Sequence, residues 1–203
     1  MKTWHKIVIG AGIFLVFSCI AASVLIGIGS YKTYKAARGF TEGFTNPAVK
    51  LAKAKEICDF TMPSGYDVIL GMDFMGMKMA MINHMTSQQI IVLLQLPKDS
   101  QIPNSEFKKE LTGSKEELMK KLNKGSGNSK ITKIKESGTF TLNGHEVPYC
   151  KAEFENNGKS FDGIIANYEC KNSGKNFIIM AMADKGTYND DITITFLKSL
   201  KCH

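Results

Sequence analysis

The chain has 203 residues, of which 43% are hydrophobic and 22% charged. This allows one domain with an appendage and excludes a largely disordered chain. The net charge of +7 is carried almost entirely by lysine, because Arg38 is the only arginine. Proteins that recognise specific nucleic-acid sequences depend on bidentate hydrogen bonds from arginine, so the composition argues against nucleic acid as a partner. It indicates a lysine-rich, solvated surface.

The first predicted element is an uncharged run of 23 residues, 7–29, with the sequence IVIGAGIFLVFSCIAASVLIGIG. As a helix it would be roughly 34 Å long, which is enough to cross the hydrocarbon core of a membrane. Trp4 precedes the run and Tyr31 and Tyr34 follow it, where amphipathic rings favour the interface. The pattern predicts a single-pass membrane protein in which residues 1–29 are an N-terminal anchor and residues 7–29 contact lipid.

Two other interpretations of this segment involve cleavage. Lys2 and Lys6 could begin a secretory signal, but the apolar run continues past the usual length of such signals. Residues 16–19 (VFSC) resemble a lipoprotein signal with lipid on Cys19, although Phe17 fits that motif poorly. The positive-inside rule alone slightly favours a cytoplasmic domain. The usual layout of a signal anchor, and the cysteines discussed below, favour a domain outside the cytoplasm.

Residues 30–57 are interpreted as a basic connector that is partly helical. Gly39, Gly43 and Pro47 punctuate its first part. The run AVKLAKAKEI then favours a helix, with proline at its start. We expect this connector to hold a domain of residues 58–203 away from the membrane.

Three strands are predicted at the start of that domain, over residues 66–72, 75–85 and 89–96. Residues 90–94 (IIVLL) are apolar on both faces, which predicts a central strand covered on both sides. A helical region follows, in which Phe107 and Leu111 share a face. A capping box formed by Ser114 and Glu117 then predicts a further helix.

The second half of the domain is predicted to be a meander of strands joined by tight turns. The Asn143-Gly144 pair is a strong hairpin signal. The strands are expected at residues 131–135, 139–142, 147–155, 161–170 and 177–183. Residues 190–200 are predicted to be a helix with Asn189 as its N-cap, although their β-branched residues leave a strand as an alternative. The whole pattern predicts an α+β fold, a meander-rich antiparallel sheet with helices packed on its faces, preceded by one transmembrane helix.

Residues 60–66 (FTMPSGY), the central helix and residues 196–200 (FLKSL) together resemble PsbP-like domains. That family includes the extrinsic protein of photosystem II and a Ran-binding import factor. The resemblance covers about residues 58–201 and implies a non-enzymatic binding or assembly module in an α/β/α sandwich. It brings no catalytic motif, and fold analogy alone is a weak guide to function.

Four cysteines of the domain are candidates for disulfides. Cys150 and Cys170 lie on neighbouring predicted strands, and we expect them on the same face. Cys58 and Cys202 bracket the domain, whose ends often lie close together. Two disulfides would agree with an oxidising compartment, whereas four buried thiols are the alternative.

Methionines at every second position of one predicted strand are candidate metal ligands. The weak candidates for a Cu(I) site are Met75, Met77, Met79, Met81 and the nearby His84, because soft thioethers suit Cu(I). The same alternation is typical of a strand that buries one face, and methionine fills irregular cores. We therefore expect packing residues and no cofactor. Zinc is disfavoured because the sequence has no CxxC pair and its histidines are scattered.

Catalytic motifs are absent: the sequence has no GxSxG, HExxH, P-loop or GxGxxG pattern. Two histidines could act as catalytic bases, His84 and His145. Their carboxylate partners could be Asp67, Asp73 or Asp162, but no spacing in the sequence indicates which of these side chains lie close together. The sequence thus indicates a membrane-anchored extracytoplasmic module without catalysis, which binds or helps assemble a protein of the cell envelope. A Cu(I)-handling protein and an enzyme with an unrecognised site are the alternatives.

Overall fold

The computed structural model describes residues 45–74, 76–112, 129–170 and 174–201, together with positions 114, 116, 119 and 123. Its helices there are α1 (Pro47–Ile57), α2 (Asn104–Leu111) and α3 (Asp190–Lys198), with a 3-10 turn at Lys98–Ser100. The strands are β1 (Asp59–Phe60), β2 (Tyr66–Phe74), β3 (Met77–His84), β4 (Ile90–Gln95), β5 (Ser129–Leu142), β6 (His145–Asn156), β7 (Lys159–Cys170), β8 (Lys175–Asp184) and β9 (Leu200–Lys201).

Seven of the described strands form one antiparallel sheet in the order β2-β3-β4-β8-β7-β6-β5. The chain therefore builds two meanders, and the second returns so that β8 pairs with β4. Strand β4 is central, and its residues Ile91 to Leu94 are buried, as their two-sided apolar pattern predicts. Strands β1 and β9 form a separate two-stranded pair. These features confirm the predicted α+β fold with an antiparallel, meander-rich sheet.

Helices α1 and α3 contribute to the core on one face of the sheet. Helix α1 begins because the Asn46 side chain accepts hydrogen bonds from the amides of Ala48 and Val49, and Pro47 occupies the first turn. Its Ala54 and Ile57 are fully buried in the same cluster as residues of the sheet. Helix α1 is thus part of the folded domain, whereas the sequence placed it in a spacer.

Helix α3 confirms the prediction of a helix near the C-terminus. The Asn189 side chain caps it by accepting a hydrogen bond from the amide of Asp191 at 2.8 Å. Phe196 is fully buried, and its ring lies 5.5 Å from that of Phe60. Burial of this apolar side outweighs the weak helix propensity of the β-branched residues.

Helix α2 lies on the opposite face, against the half of the sheet formed by β5, β6 and β7. Its Phe107 is buried beside Ile102, and Leu111 packs on the same cluster, so these two share a face as predicted. The buried amides of Asn167 and Asn176 both donate to the carbonyl of Ile102 and hold the segment before α2 on the sheet. Of the predicted capping box, Glu117 lies outside the described residues.

Two further predictions differ from the structure or fall outside it. The two short strands expected at residues 131–135 and 139–142 are one continuous strand, β5, with register irregularities between Ile131 and Lys133 and between Ile134 and Glu136. The predicted break falls at Glu136, Ser137 and Gly138, a polar run that ends in glycine and is unfavourable in a strand, but pairing with β6 keeps these residues in the sheet. The predicted anchor, residues 1–29, lies outside the described residues. No helix of the described part is long and apolar enough to cross a membrane.

Candidate functional surfaces

A cluster of methionines lies on the face of the sheet opposite α1. Strand β3 alternates as predicted, so that Met77 and Met79 point to this face while Ala80 and Ile82 point towards α1. Met81 is half-buried beside the cluster, and Met75 lies outside the described residues. We call this surface the methionine face. Its buried members are Leu70, Met72, Met77, Met79, Val92, Leu94, Leu96, Ile178 and Met180.

Strands β2 and β8 each contribute a methionine that the predicted stripe did not include. The register between β2 and β3 shifts between Val68 and Leu70, so the side chains after Val68 exchange the faces of the sheet on which they lie. Met72 then pairs with Met79, and Met180 reaches the cluster from β8. A bulge of this kind has no clear signature in the sequence, so the pairing could not have been predicted from spacing alone.

His84 does not join the methionines. Its ring packs edge-on against Tyr66 at 4.8 Å, on the side of the sheet that α1 and α3 cover. Its Nδ1 lies 2.9 Å from the Ser87 hydroxyl. The structure therefore separates His84 from Met77 and Met79, and a site there would have thioether ligands alone. Among the described residues, no group of three or more His, Cys, Asp or Glu side chains could hold a metal ion.

The structure contradicts both predicted cysteine pairings. Cys58 is a free thiol, 1% exposed, with its Sγ 3.3 Å from the Lys201 carbonyl, so it forms no bridge to Cys202. Cys150 pairs with Ile165 and lies in the cluster under α2, whereas Cys170 lies in the cluster on the opposite face. The two-residue turn between β6 and β7 pairs Asn156 with Lys159, and in this register Cys150 and Cys170 lie on opposite faces and not on the same face as expected.

Cys58 and Cys170 have different chemical states. Burial raises the pKa of the Cys58 thiol to about 11, and this thiol is therefore protonated at neutral pH. Cys170 is disulfide-bonded, and its partner lies outside the described residues.

We expect this difference to be visible by thiol labelling of protein denatured directly from cells. Cys58 should react with a maleimide without reductant, whereas Cys170 should react only after reduction, as read by mass spectrometry of the two peptides. In the folded protein Cys58 should react slowly at pH 8, because the thiolate is the nucleophile and the thiol is buried. A fully reduced sample provides the control. Labelling of Cys170 without reductant would contradict the assignment.

A network of ion pairs lies on the exposed part of the sheet formed by β5, β6 and β7. The Lys135 ammonium lies 2.7 Å from Asp162 and 3.5 Å from Glu153, and Lys185 lies 2.9 Å from Glu153. The hydrogen bond from Lys185 holds the pKa of Glu153 below its usual value. Partial burial alone would raise the pKa of Asp162, but hydrogen bonds from Lys135 and the Gly186 amide bring it below its usual value. These carboxylates are therefore ionised at neutral pH, which suits a charged surface and not proton donation.

The candidate acid–base residues do not form a catalytic group. Among the described residues, no hydrogen bond or ion pair joins His84 or His145 to Asp67, Asp73 or Asp162. Asp67 faces Lys50 at 3.6 Å, and the His145 ring lies 5.8 Å from that of Tyr168.

Comparison with known proteins finds only structural similarities at low sequence identity. No family model and no curated protein matches the chain. Cyanobacterial PsbP from Synechocystis sp. PCC 6803 is 12% identical, with 73% of this chain and 88% of that chain covered at a TM-score of 0.44. LpqN of Mycobacterium tuberculosis, a protein involved in cell envelope biogenesis, is 13% identical, with 70% and 76% covered at a TM-score of 0.30. The PsbP-like resemblance expected from the sequence is thus found at the level of the fold.

Proposed function

We propose that this protein is a single-pass, membrane-anchored module whose domain lies outside the cytoplasm and binds or helps assemble another component of the cell envelope, without catalysis. The observation that carries the proposal is the uncharged run of residues 7–29, followed closely by a folded domain that starts at α1. A disulfide at Cys170 supports an oxidising compartment. The paired charges on β5, β6 and β7 offer a polar surface of the kind found at the rim of protein interfaces.

Fractionation of membranes tests the anchor. The full chain should stay in the pellet after carbonate washing, because about 23 apolar residues in the bilayer cannot be released by breaking ionic contacts. A chain that begins at Ser30 should be released into the supernatant. Full-length protein in the supernatant would contradict the anchor, and pelleted protein with lipid on Cys19 would favour the lipoprotein interpretation.

Treatment with protease tests the orientation of the domain in cells whose outer envelope has been made permeable. We expect the domain to be digested while the inner membrane is intact, with a cytoplasmic protein as the control. Digestion only after the inner membrane is broken would place the domain in the cytoplasm and contradict the proposal.

A further inference from the structure

The outer edge of strand β5 is shielded along its first half and open along its second. Within the described residues, β5 is the last strand of the seven-stranded sheet and pairs with β6 alone. An edge strand presents unpaired N–H and C=O groups, which natural proteins shield with charges, bulges or covering groups. A contrast in shielding within one strand therefore indicates which part is available for pairing with another chain.

Three features shield the first half of β5. The side-chain amide of Asn123 donates to the Ile131 carbonyl at 2.7 Å, and its oxygen accepts from the Ile131 amide at 2.6 Å, so this side chain takes the place of a neighbouring strand. Register irregularities follow on both sides of Lys133, up to Glu136. Exposed lysines lie along the same stretch, at Lys130, Lys133 and Lys135. Another strand is thereby kept from adding to this part of the edge.

The second half of β5, residues 137–142 (SGTFTL), has none of these features. It contains no charged residue and no proline, and it pairs with β6 without a shift of register. The side chains of Ser137, Thr139 and Thr141 share one face of the sheet, and all three residues are exposed. This stretch is a regular, uncharged edge that is accessible to solvent.

The hairpin after β5 determines which backbone groups of this half point outwards. Leu142 pairs with His145 across the two-residue turn, and residues in that position exchange both of their backbone hydrogen bonds. Bonded and non-bonded pairs then alternate along the strand, so the N–H and C=O groups of Ser137, Thr139 and Thr141 point away from β6. Among the described residues, no hydrogen bond reaches these outward backbone groups.

We propose that residues 137–141 of β5 pair with the same residues of a second copy of the chain, antiparallel and centred on Thr139. In this register Thr139 meets Thr139 of the second copy, and Ser137 meets Thr141. Each outward N–H then has an outward C=O as its partner, because an antiparallel pair of this kind exchanges both bonds. The two sheets become one continuous sheet across a twofold axis.

The side chains are self-complementary in this register. Phe140 of one copy lies opposite Gly138 of the other, and an aromatic ring across from a glycine of the neighbouring strand is a stabilising pair. Phe140 is half-buried in the single chain, with its ring 5.5 Å from that of Tyr149, so its position is already defined. The hydroxyl residues Ser137, Thr139 and Thr141 face one another, and cross-strand pairs of this type are also favourable.

The choice of Thr139 as the centre follows from the two ends of the open stretch. A centre at Ser137 would bring the irregular, lysine-rich part of β5 into the pairing, and a centre at Thr141 would bring in the turn at Asn143 and Gly144. With Thr139 at the centre, Glu136 lies opposite Leu142 and no two like charges are opposed. The contact is short, so we expect a dimer that dissociates on dilution. It does not depend on the anchor, and its test is independent of the fractionation experiment.

Charge substitution at Thr139 tests the pairing with the full chain in detergent, because only this residue meets its own copy. Two differently tagged copies of the unmodified chain should co-purify. When both copies carry Thr139→Lys, or both carry Thr139→Glu, co-purification should fall at least about fivefold, since like charges directly opposed on paired strands repel. A mixture of Thr139→Lys with Thr139→Glu should restore it. The matched control is Thr132, an exposed threonine of the shielded half, where the same substitutions should have no effect.

Two results of this experiment would overturn the proposal. One is an unmodified chain that does not co-purify with itself at any concentration tested. The other is a mixture of opposite charges at position 139 that recovers no more than the like-charged pairs do, because the contact would then lie elsewhere on the chain.

Hydrogen exchange of the backbone amides, followed by NMR, tests the same register without any substitution. The amides of Thr139 and Thr141 should exchange at least about fivefold more slowly at high than at low protein concentration, because only the dimer protects them. The amides of Phe140 and Leu142 are bonded to β6 and should be protected at every concentration. Rapid exchange of Thr139 at all concentrations would leave the edge to a strand of a different protein and would contradict pairing with a second copy.

Discussion

Met79→Ala is expected to lower the free energy of unfolding of the domain by about 2–5 kcal/mol, the usual cost of removing a buried methionine side chain. Met79 is 6% exposed and pairs across the sheet with Met72 and Leu94. Such a loss is a large fraction of the roughly 5–15 kcal/mol that stabilises an ordinary domain. Unfolding in urea, followed by circular dichroism, measures it.

Two variants provide the matched comparison for Met79→Ala. Met79→Leu keeps the volume and should cost under about 1.5 kcal/mol. Met85→Ala removes the same atoms from a side chain that is 62% exposed, and should change the free energy of unfolding by less than about 0.5 kcal/mol. Equal effects of Met79→Ala and Met85→Ala would contradict a packing role.

The Cu(I) alternative predicts the opposite ranking of the same variants. Leucine has no sulfur, so Met79→Leu would abolish metal binding while hardly changing the apo-protein. Tight, stoichiometric Cu(I) uptake by the purified chain, lost in Met79→Leu, would therefore contradict the interpretation of these methionines as packing residues alone.

Gly71→Ala is expected to destabilise the domain by about 1–3 kcal/mol, because the added methyl group has no space. An ideal Cβ at this position would lie 2.1 Å from the backbone carbonyl oxygen of Lys50 in α1. Helix α1 would have to move away from the sheet, which would expose Ile57 and weaken the 2.9 Å ion pair between Lys78 and Glu56. For a domain of this size the melting temperature should fall by about 2–4 °C per kcal/mol.

Gly138→Ala is the control for Gly71→Ala. Gly138 also lies within a strand, but the nearest atoms to a Cβ there would be those of the Tyr149 side chain, at 3.4 Å, an ordinary contact distance. Replacing glycine by alanine reduces the entropy of the unfolded chain, so this variant should be neutral or slightly stabilised. If the two variants had the same melting temperature, α1 would not be packed tightly on β2.

Local patterns were sufficient for the positions of most elements. Asn143 and Gly144 have φ of 50° and 78°, the positive values that the predicted two-residue hairpin requires. Asn189 caps α3 as its position before Asp190 and Asp191 predicts. The alternation of Met77 and Met79 correctly indicated a buried face. In each case the signal comes from residues within a few positions of one another, and local sequence carries that information directly.

The sequence by itself therefore determined the α+β class, the meander and the buried face of the methionine strand, and it alone supports the anchor. The tertiary structure decided which surfaces meet. A bulge after Val68 placed Met72 beside Met79, and the turn before Lys159 placed Cys150 and Cys170 on opposite faces. Side chains alternate with a period of two, so one extra residue or one step of register moves a whole strand to the other face. The face that a side chain occupies depends on packing between segments that are distant in the chain, so no local sequence pattern predicts it.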